Sequence, residues 1–156
     1  MEEQAANQDT PAIVRAGLEH VDSITPLFVG YREFYRGLPE WDRSRAFIAR
    51  MLETGDSVIF LATVGAQPAG FIQMFRTYST GAMRHAWILN DLFVTPAMRR
   101  HGVGRALMNY ARDFAAKDGA CRLTLRTEVT NTTAQALYES LGWQRDEAFY
   151  TYHLPL

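Results

Sequence analysis

The sequence predicts a single α/β (α+β) domain built in three layers, with a mixed central β-sheet flanked by helices. Two apolar segments, residues 57–64 and 69–78, lie on either side of four turn residues and indicate a β-hairpin. Segments with helical periodicity precede and follow this strand-rich region. A chain of 156 residues fits one domain and is long enough to bury a substantial core.

One strand and two helices are predicted ahead of the hairpin. Residues 12–15 read as the strand, and residues 18–36 carry an apolar stripe at helical spacing. Pro26 is expected in the first turn of that helix, where its missing N–H does no harm. Asp42 is expected to cap the second helix, which ends at Gly55.

Strands and helices alternate after the hairpin. Residues 86–95 are predicted to form the central strand of the sheet. The next helix shows an apolar helical period that starts at Val103 and ends before Gly119. The remaining elements are a strand at 122–127, a short helix at 131–140 and a last strand at 149–153.

The overall composition excludes several classes of function. The net charge is −1, whereas a nucleic-acid-binding domain normally carries a strong basic excess, so no nucleic-acid partner is expected. No apolar stretch approaches the roughly 20 residues of a membrane span, so no membrane partner is expected either. No metal site is predicted, because no ligand spacing relates the four histidines, His20, His85, His101 and His153.

The cysteine content and the amino terminus indicate a cytoplasmic location. Cys121 is the single cysteine, so a disulfide framework within the chain is impossible and a reducing compartment is expected. We expect Cys121 to be a small buried residue rather than a catalytic thiol. Residues 1–10 lack a hydrophobic signal region and are expected to form a disordered tail, which leaves 11–156 as the domain.

The most informative segment is 91–107, where an apolar run ends at a proline and a basic turn with two glycines leads into a helix. Such a turn directs backbone N–H groups and the positive end of the helix dipole at one place, which suits a phosphate. Gly102 and Gly104 allow close approach of an anion, although glycines also occupy such turns for purely steric reasons. The dinucleotide fingerprint fits poorly, because Leu107 stands where its third glycine would fall.

Two motifs in this chain resemble those of the GCN5-related N-acetyltransferases (GNAT). Residues 99–104, Arg-Arg-His-Gly-Val-Gly, match the Arg/Gln-x-x-Gly-x-Gly/Ala signature of that family. Residues 131–143 resemble its Asn-x-x-Ala-x-x-Leu-Tyr-x-x-x-Gly-Phe element, with Trp143 in place of the usual Phe. Residues 89–94 further resemble the histone and polyamine acetyltransferase branch.

This resemblance implies the GNAT fold, in which two central parallel strands splay apart, and acetyl-CoA as the cosubstrate. The diphosphate would lie on the basic turn, the pantetheine arm on the backbone of the preceding strand, and Asn131 would bond the pantetheine amides. The strand residues can equally serve the core, and Asn131 can cap the following helix. The implied cofactor-binding residues are Leu92, Phe93, Val94, Arg99, Arg100, His101, Gly102, Val103, Gly104, Arg105, Asn131 and Tyr138.

Three residues are candidates for the proton transfers. Tyr138 is the candidate general acid for the departing thiolate, although it could instead be a packing residue of its helix. A carboxylate must take the proton of the amine, whose reference pKa is about 10.4. Asp91 and Glu128 are the candidates; either could instead be a solvated charge at a strand end, and Asp91 could bind a cationic substrate without accepting its proton.

The acceptor site is expected to draw on Asp91 and on aromatic side chains, some of which serve the core: Tyr31, Tyr35, Trp41 and Tyr78. The predicted function is transfer of acetyl from acetyl-CoA to a primary amine of a small molecule, a polyamine or a lysine side chain, by direct attack in a ternary complex. The alternative is a non-catalytic acyl-CoA-binding regulatory module on the same fold. The family often dimerises, so a homodimer is expected, and residues 149–152 could serve its interface.

Overall fold

The computed structural model describes residues 10–156, so the predicted tail lies outside the described residues except for Thr10. The chain divides into two compact units, one that ends at Arg126 and one that spans Thr127–Leu156; the single domain stays a prediction. The elements are β1 (Ala12–Arg15), α1 (Val21–Arg36), α2 (Trp41–Thr54), β2 (Ser57–Val64), β3 (Gln67–Ser79), β4 (Arg84–Val94), α3 (Val103–Lys117), β5 (Leu123–Leu125) and α4 (Thr132–Ser140).

The five strands form one sheet in the order β1-β2-β3-β4-β5. The first four strands pair antiparallel with their neighbours, and β4 pairs parallel with β5. The prediction of a mixed sheet is therefore confirmed. The bounds of β2 agree with the predicted segment. β3 exceeds its predicted segment by two residues at its start and one at its end, and β4 begins two residues before its predicted segment and ends one residue before the predicted end.

Helices cover both faces of the sheet, which confirms the three-layer architecture. On one face, Ile24 and Phe28 of α1 and Ile48 of α2 share a buried cluster with Phe71 of β3 and Phe93 of β4. On the other face, the α3 ring of Phe114 lies 5.2 Å from the ring of Phe60 and 5.6 Å from that of Trp87, measured between centroids. The apolar stripes read from the sequence thus face the sheet from opposite sides.

An extra residue interrupts β4 at its centre. Gln73 of β3 pairs with Asp91, whereas the next residue, Met74, pairs with Leu89, so Asn90 has no partner in this ladder. A bulge of this kind bends the strand that carries it. The parallel pairing of β4 with β5 also ends at Leu89, so that residues 90–94 continue without β5. The bulge and the end of this pairing coincide with the splaying that the family resemblance implies.

The starts of α1 and α2 differ from prediction. Pro26 is the sixth residue of α1 and not part of its first turn, because burial of Val21 and Ile24 extends the helix upstream and outweighs one lost backbone hydrogen bond. Asp42 does not cap α2. Glu40 occupies the N-cap position with φ 39°, its carbonyl accepts from Ser44 N at 2.9 Å, and Arg32 and Arg43 hold its carboxylate.

The predicted last strand at 149–153 is wrong, because residues 144–156 contain no strand in the structure. Aromatic residues favour a strand where they fit a pleated, half-buried surface. Phe149, Tyr150 and Tyr152 are each more than four-fifths exposed, so they lack such a surface. Cys121, expected to be buried, is half-buried.

The carboxyl end of α3 is fastened to β3 and β4 through Asp118. Its Oδ2 atom accepts from Trp87 Nε1 at 2.9 Å, lies 2.7 Å from His85 Nε2 and is 3.4 Å from the Arg76 guanidinium. Burial raises the pKa of Asp118, but the hydrogen bonds from Trp87 and His85 outweigh it and hold the pKa below its usual value of 3.8. The amino end of the same helix forms the basic turn, so this anchor helps to place the turn.

Replacing Asp118 by asparagine is expected to lower the free energy of unfolding by about 1–2 kcal/mol at pH 7, because charge-assisted hydrogen bonds are lost. The folded pKa is depressed, so the carboxylate stabilises the fold above its unfolded pKa and loses this effect as the pH falls through the folded pKa. The difference between wild type and variant, measured by urea unfolding, should therefore shrink below pH 4. Asp113→Asn, at an exposed site beside Arg112, is the control with no expected effect. A deficit equal at pH 3 and pH 7 would contradict this role.

Candidate active site

A cleft of about 440 Å³ opens beside the bulge, between α1, α2 and the sheet. Asn90 and Asp91 both line it, although consecutive residues of a regular strand point to opposite faces. The bulge thus brings two neighbouring polar side chains to one cleft. The full lining comprises Phe28, Tyr31, Arg32, Arg36, Leu38, Phe47, Gln73, Phe75, Asn90 and Asp91.

A chain of buried hydrogen bonds fixes the Asp91 carboxylate at the floor of the cleft. Ser57 Oγ donates to Gln73 Oε1 at 2.7 Å, and Gln73 Nε2 donates to Asp91 Oδ2 at 2.7 Å. Asn90 Nδ2 donates to the other carboxylate oxygen at 3.2 Å. Asp91 is only 5% exposed, and Gln73 only 1%, so the bonds from Ser57 to Gln73 and from Gln73 to Asp91 are shielded from water. A shielded and fully directed carboxylate is well placed to receive a proton or a cation.

Tyr31 of α1 supplies a further neutral donor to Asp91. Burial raises the pKa of Tyr31 above its ordinary value of 10.0, and the negative charge of Asp91 and the hydrogen bond between the two side chains raise it further. Tyr31 therefore keeps its proton at neutral pH and donates it to the carboxylate. Within residues 10–156, no Arg, Lys or His forms an ion pair with Asp91.

The basic turn that precedes α3 has an unusual backbone. Arg99 is extended, with φ −68° and ψ 151°, and Arg100 and Gly102 both lie in the left-handed region, with φ 66° and 74°. The angles at Arg99 and Arg100 resemble those of a type II turn, in which glycine is usual at the second position. A non-glycine residue in this region costs about 1–3 kcal/mol, so the surrounding structure must hold Arg100 in this conformation.

The turn fits a diphosphate. Nothing lies within 4 Å of the position that a Cβ of Gly102 would take, so the space beside this residue is open. In the described chain, the N–H groups of residues 100–104 donate to no protein acceptor, while Ala106 N closes the first helical bond to Gly102 O at 2.9 Å. These N–H groups stand at the amino end of a 15-residue helix, where the dipole favours an anion. Arg100 and Arg105, in the same segment, carry positive charge.

Arg99 links the turn to β4 and to α1. Its Nε donates to the Val94 carbonyl at 3.2 Å, and its guanidinium lies 5.7 Å from the ring centroid of Phe34. Val94 and Leu92 are half-buried, whereas the Phe93 side chain packs in the core. Because the pairing with β5 stops at Leu89, the backbone of these three residues forms no ladder on that side.

The remaining candidate residues lie in the second unit. Asn131 Oδ1 accepts from Ala134 N at 3.2 Å, so Asn131 is the N-cap of α4, as the sequence indicates. Tyr138 is half-buried, with its ring centroid 6.3 Å from that of Trp143. Glu128 has an exposed side chain, and its carbonyl accepts from Asn131 N and from Gln135 Nε2.

The aromatic residues predicted for the acceptor site divide into two groups. Tyr31 lines the cleft, and the ring of Tyr35 lies 4.8 Å from it, between centroids. Trp41, the first residue of α2, is half-exposed and does not line the cleft. Tyr78 lies five positions beyond Gln73 along β3, a distance of about 17 Å in a strand. Trp41 and Tyr78 stay predictions without a place in this cleft.

Sequence reasoning missed Gln73, Asn90 and the two arginines of the cleft, Arg32 and Arg36. One signal for Gln73 exists, because it is the single polar residue in the apolar run 71–75 of a predicted inner strand. A buried polar side chain needs a hydrogen-bond partner, so Gln73 could have predicted a second polar side chain on a neighbouring strand. The bulge at Asn90 left no comparable signal.

Two absences hold for residues 10–156. No group of three or more His, Cys, Asp or Glu side chains could hold a metal ion. Among the helices described here, none is both long and apolar enough to cross a membrane. The cytoplasmic location and the homodimer stay predictions.

Comparisons with known proteins identify the family of this chain. Residues 23–143 match the acetyltransferase (GNAT) family. The chain is 42% identical over 132 residues to YhfO, an uncharacterized N-acetyltransferase of Bacillus subtilis. The aligned region covers 85% of this chain and 89% of that protein. It is 41% identical over 93 residues to the streptothricin acetyltransferase of Streptomyces lavendulae, covering 58% of this chain and 47% of that enzyme.

A solved structure extends the agreement to three dimensions. The crystal structure of a probable acetyltransferase superposes with a TM-score of 0.87 at 39% identity, covering 93% of this chain and 98% of that one. The family match spans most of the sequence and includes both motifs of the basic turn and of α4. The chain therefore belongs to the acetyltransferase (GNAT) family and is an acetyl-CoA-dependent N-acetyltransferase.

Proposed function

We propose that the protein transfers the acetyl group of acetyl-CoA to the primary amine of a small molecule, a polyamine or a lysine side chain. The amine attacks the thioester directly, while both substrates are bound. One observation carries this proposal, namely the Asp91 carboxylate held at the floor of a cleft by Gln73, Asn90 and Tyr31. The cleft lies beside the segment of β4 that has left β5, where the family resemblance implies the pantetheine arm.

The chain offers two sets of backbone groups to acetyl-CoA, which supplies the thioester-activated acetyl group. The N–H groups of residues 100–104 and the basic side chains around them would hold the diphosphate. Backbone groups of Leu92–Val94 would align the pantetheine arm. One N–H of that segment would stabilise the charge that develops on the thioester carbonyl oxygen, as an oxyanion hole does.

Asp91 is the base that we propose, acting directly or through one water. A protonated alkyl amine has a reference pKa of about 10.4, so little free amine exists at neutral pH. The buried carboxylate would bind the ammonium group and accept its proton as the nitrogen attacks. Glu128 remains the alternative base, but its exposed position gives it less control over an amine. Tyr138 is the general acid that we propose for the thiolate.

Isothermal titration with acetyl-CoA, followed by assays for free CoA thiol with a panel of amines, tests the function. We expect binding to the wild type and release of thiol with at least one amine. No heat at millimolar acetyl-CoA would contradict the proposal. Binding without turnover over a broad panel would instead indicate the non-catalytic regulatory module.

Replacing Tyr138 by phenylalanine is expected to lower kcat by about a hundredfold, because a positioned acid typically contributes that much or more. The dissociation constant of acetyl-CoA should change little, since only the hydroxyl is removed. Stopped assays and titration measure the two quantities separately. Tyr152→Phe makes the same chemical change at an exposed position in the same unit and should leave kcat unchanged. Wild-type turnover in Tyr138→Phe would remove Tyr138 from the acid role.

A further inference from the structure

The charges of the cleft are distributed unevenly between its floor and its rim. Three charged side chains line it, Asp91 at the floor and Arg32 and Arg36 from the last turns of α1. The Arg32 guanidinium already has protein partners, because it binds the Glu40 carboxylate and donates to Ser44 Oγ at 3.3 Å. Arg36 is exposed, and within residues 10–156 it takes part in no ion pair. One carboxylate and one guanidinium therefore remain available to a ligand.

Among the side chains of residues 10–156, no cation pairs with the carboxylate at the floor. Neutral donors from Gln73, Asn90 and Tyr31 orient Asp91, but a buried charge is stabilised best by an opposite charge. The ammonium group of an acceptor would supply that charge. Arg36 acts on the same space from the rim, because its positive charge lowers the pKa of Tyr31 in opposition to Asp91. A ligand in the cleft thus meets a negative floor and a positive rim.

We infer that the acceptor is an amine that also carries an anionic group, a carboxylate or a phosphate, and that Arg36 binds this group while Asp91 receives the amine. The inference rests on the proposed function and narrows its acceptor class. The aromatic rings of Phe28, Phe47 and Phe75 line the same cleft and suit an apolar portion of the acceptor. A polyamine is disfavoured, because its second ammonium group would face the Arg36 guanidinium.

Matched acceptors test the inference with wild-type protein. The acceptors form matched sets, one for each of several chain lengths. The members of a set differ only in the terminal group: an alkylamine, an ω-amino acid, an ω-aminoalkyl phosphonate and a diamine. We expect kcat/KM, measured by release of CoA thiol, to be at least about tenfold higher for the best anionic acceptor than for the alkylamine and the diamine of that length, as expected for a charged hydrogen bond. The amino acid and the phosphonate separate a carboxylate from a phosphate source.

Variants at Arg36 connect this preference to one side chain. Arg36→Gln should bring the ratio between anionic acceptor and alkylamine close to one, and Arg36→Glu should turn the preference toward the diamine. KM for the anionic acceptor should rise, whereas the dissociation constant of acetyl-CoA should not change. Arg50→Gln removes an exposed arginine of α2 that does not line the cleft and should retain the wild-type ratio.

The outcomes separate the inference from the function on which it rests. The inference is overturned if kcat/KM for alkylamines or diamines equals that for the anionic acceptors, or if Arg36→Gln keeps the wild-type ratio. In both cases the acetyltransferase function stands. If no amine of any charge releases CoA thiol from protein that binds acetyl-CoA, the proposed function itself fails.

Discussion

Asp91→Asn is expected to lower kcat by at least about a hundredfold at neutral pH, the typical contribution of a positioned base. The amide keeps the size of the side chain and can still accept from Gln73, but it cannot take a proton. The difference in kcat between wild type and variant should shrink as the pH approaches the pKa of the protonated amine, about 10.4, because more of the acceptor is then already deprotonated when it binds. Steady-state rates between pH 6 and pH 10 with saturating acetyl-CoA measure this effect.

The controls for Asp91→Asn separate chemistry from folding. Asp56→Asn makes the same change at an exposed carboxylate outside the cleft and should leave the pH–rate profile intact. Acetyl-CoA binding of Asp91→Asn should stay near that of the wild type, whereas its melting temperature should fall somewhat, because the amide cannot accept from all the donors that surround the carboxylate. A variant with unchanged kcat but a raised KM for the amine would make Asp91 a binding residue. Glu128→Gln would then be the next test of the base.

Gly102→Val is expected to weaken acetyl-CoA binding by about tenfold to a hundredfold, the equivalent of the 1–3 kcal/mol that a strained backbone residue costs. Gly102 has φ 74°, a region that a β-branched side chain avoids, so the chain would shift and the N–H groups of the turn would lose their common direction. Isothermal titration with acetyl-CoA measures the loss.

Gly119→Val provides a matched control for this variant. Gly119 has φ 78°, with nothing within 4 Å of a would-be Cβ, and it follows the opposite end of α3. It should therefore suffer a similar loss of thermal stability with acetyl-CoA affinity unchanged. Equal losses of affinity in both variants would show that strain anywhere near α3 is sufficient, and would remove the basic turn from the diphosphate site.

The sequence predicted the inner strands well and the chain terminus poorly. A continuous apolar run marks β2 correctly, because this strand lies between β1 and β3 and its residues 57–62 are all buried. The strand predicted at 149–153 from its aromatic residues is absent, since a strand also needs a partner that the local sequence does not reveal. The N-cap of α2 failed for a related reason: Arg32, eight residues upstream, holds Glu40 in a conformation that the helix signal at Asp42 does not reflect.

The candidate site was predictable only where a local motif marks it. Asp91 and the basic turn lie in one continuous segment, so their association could be read from the sequence. The relay from Ser57 through Gln73 to Asp91 spans three strands, with separations of 16 and 18 residues. Contacts of this kind depend on strand register. The register of β3 against β4 changes at the bulge, and no residue of the sequence predicts the position of that bulge.

The extra residue of β4 interrupts the sheet next to the place where we propose that the acetyl donor binds. A chain shortened by Asn90 would still place Asp91 opposite Gln73, and its ladder would be regular. Straightened in this way, β4 could continue alongside β5, and new inter-strand bonds would consume the amides that we assign to the thioester. The shorter chain would have a more continuous sheet, and the opening in which we propose that the donor binds would close.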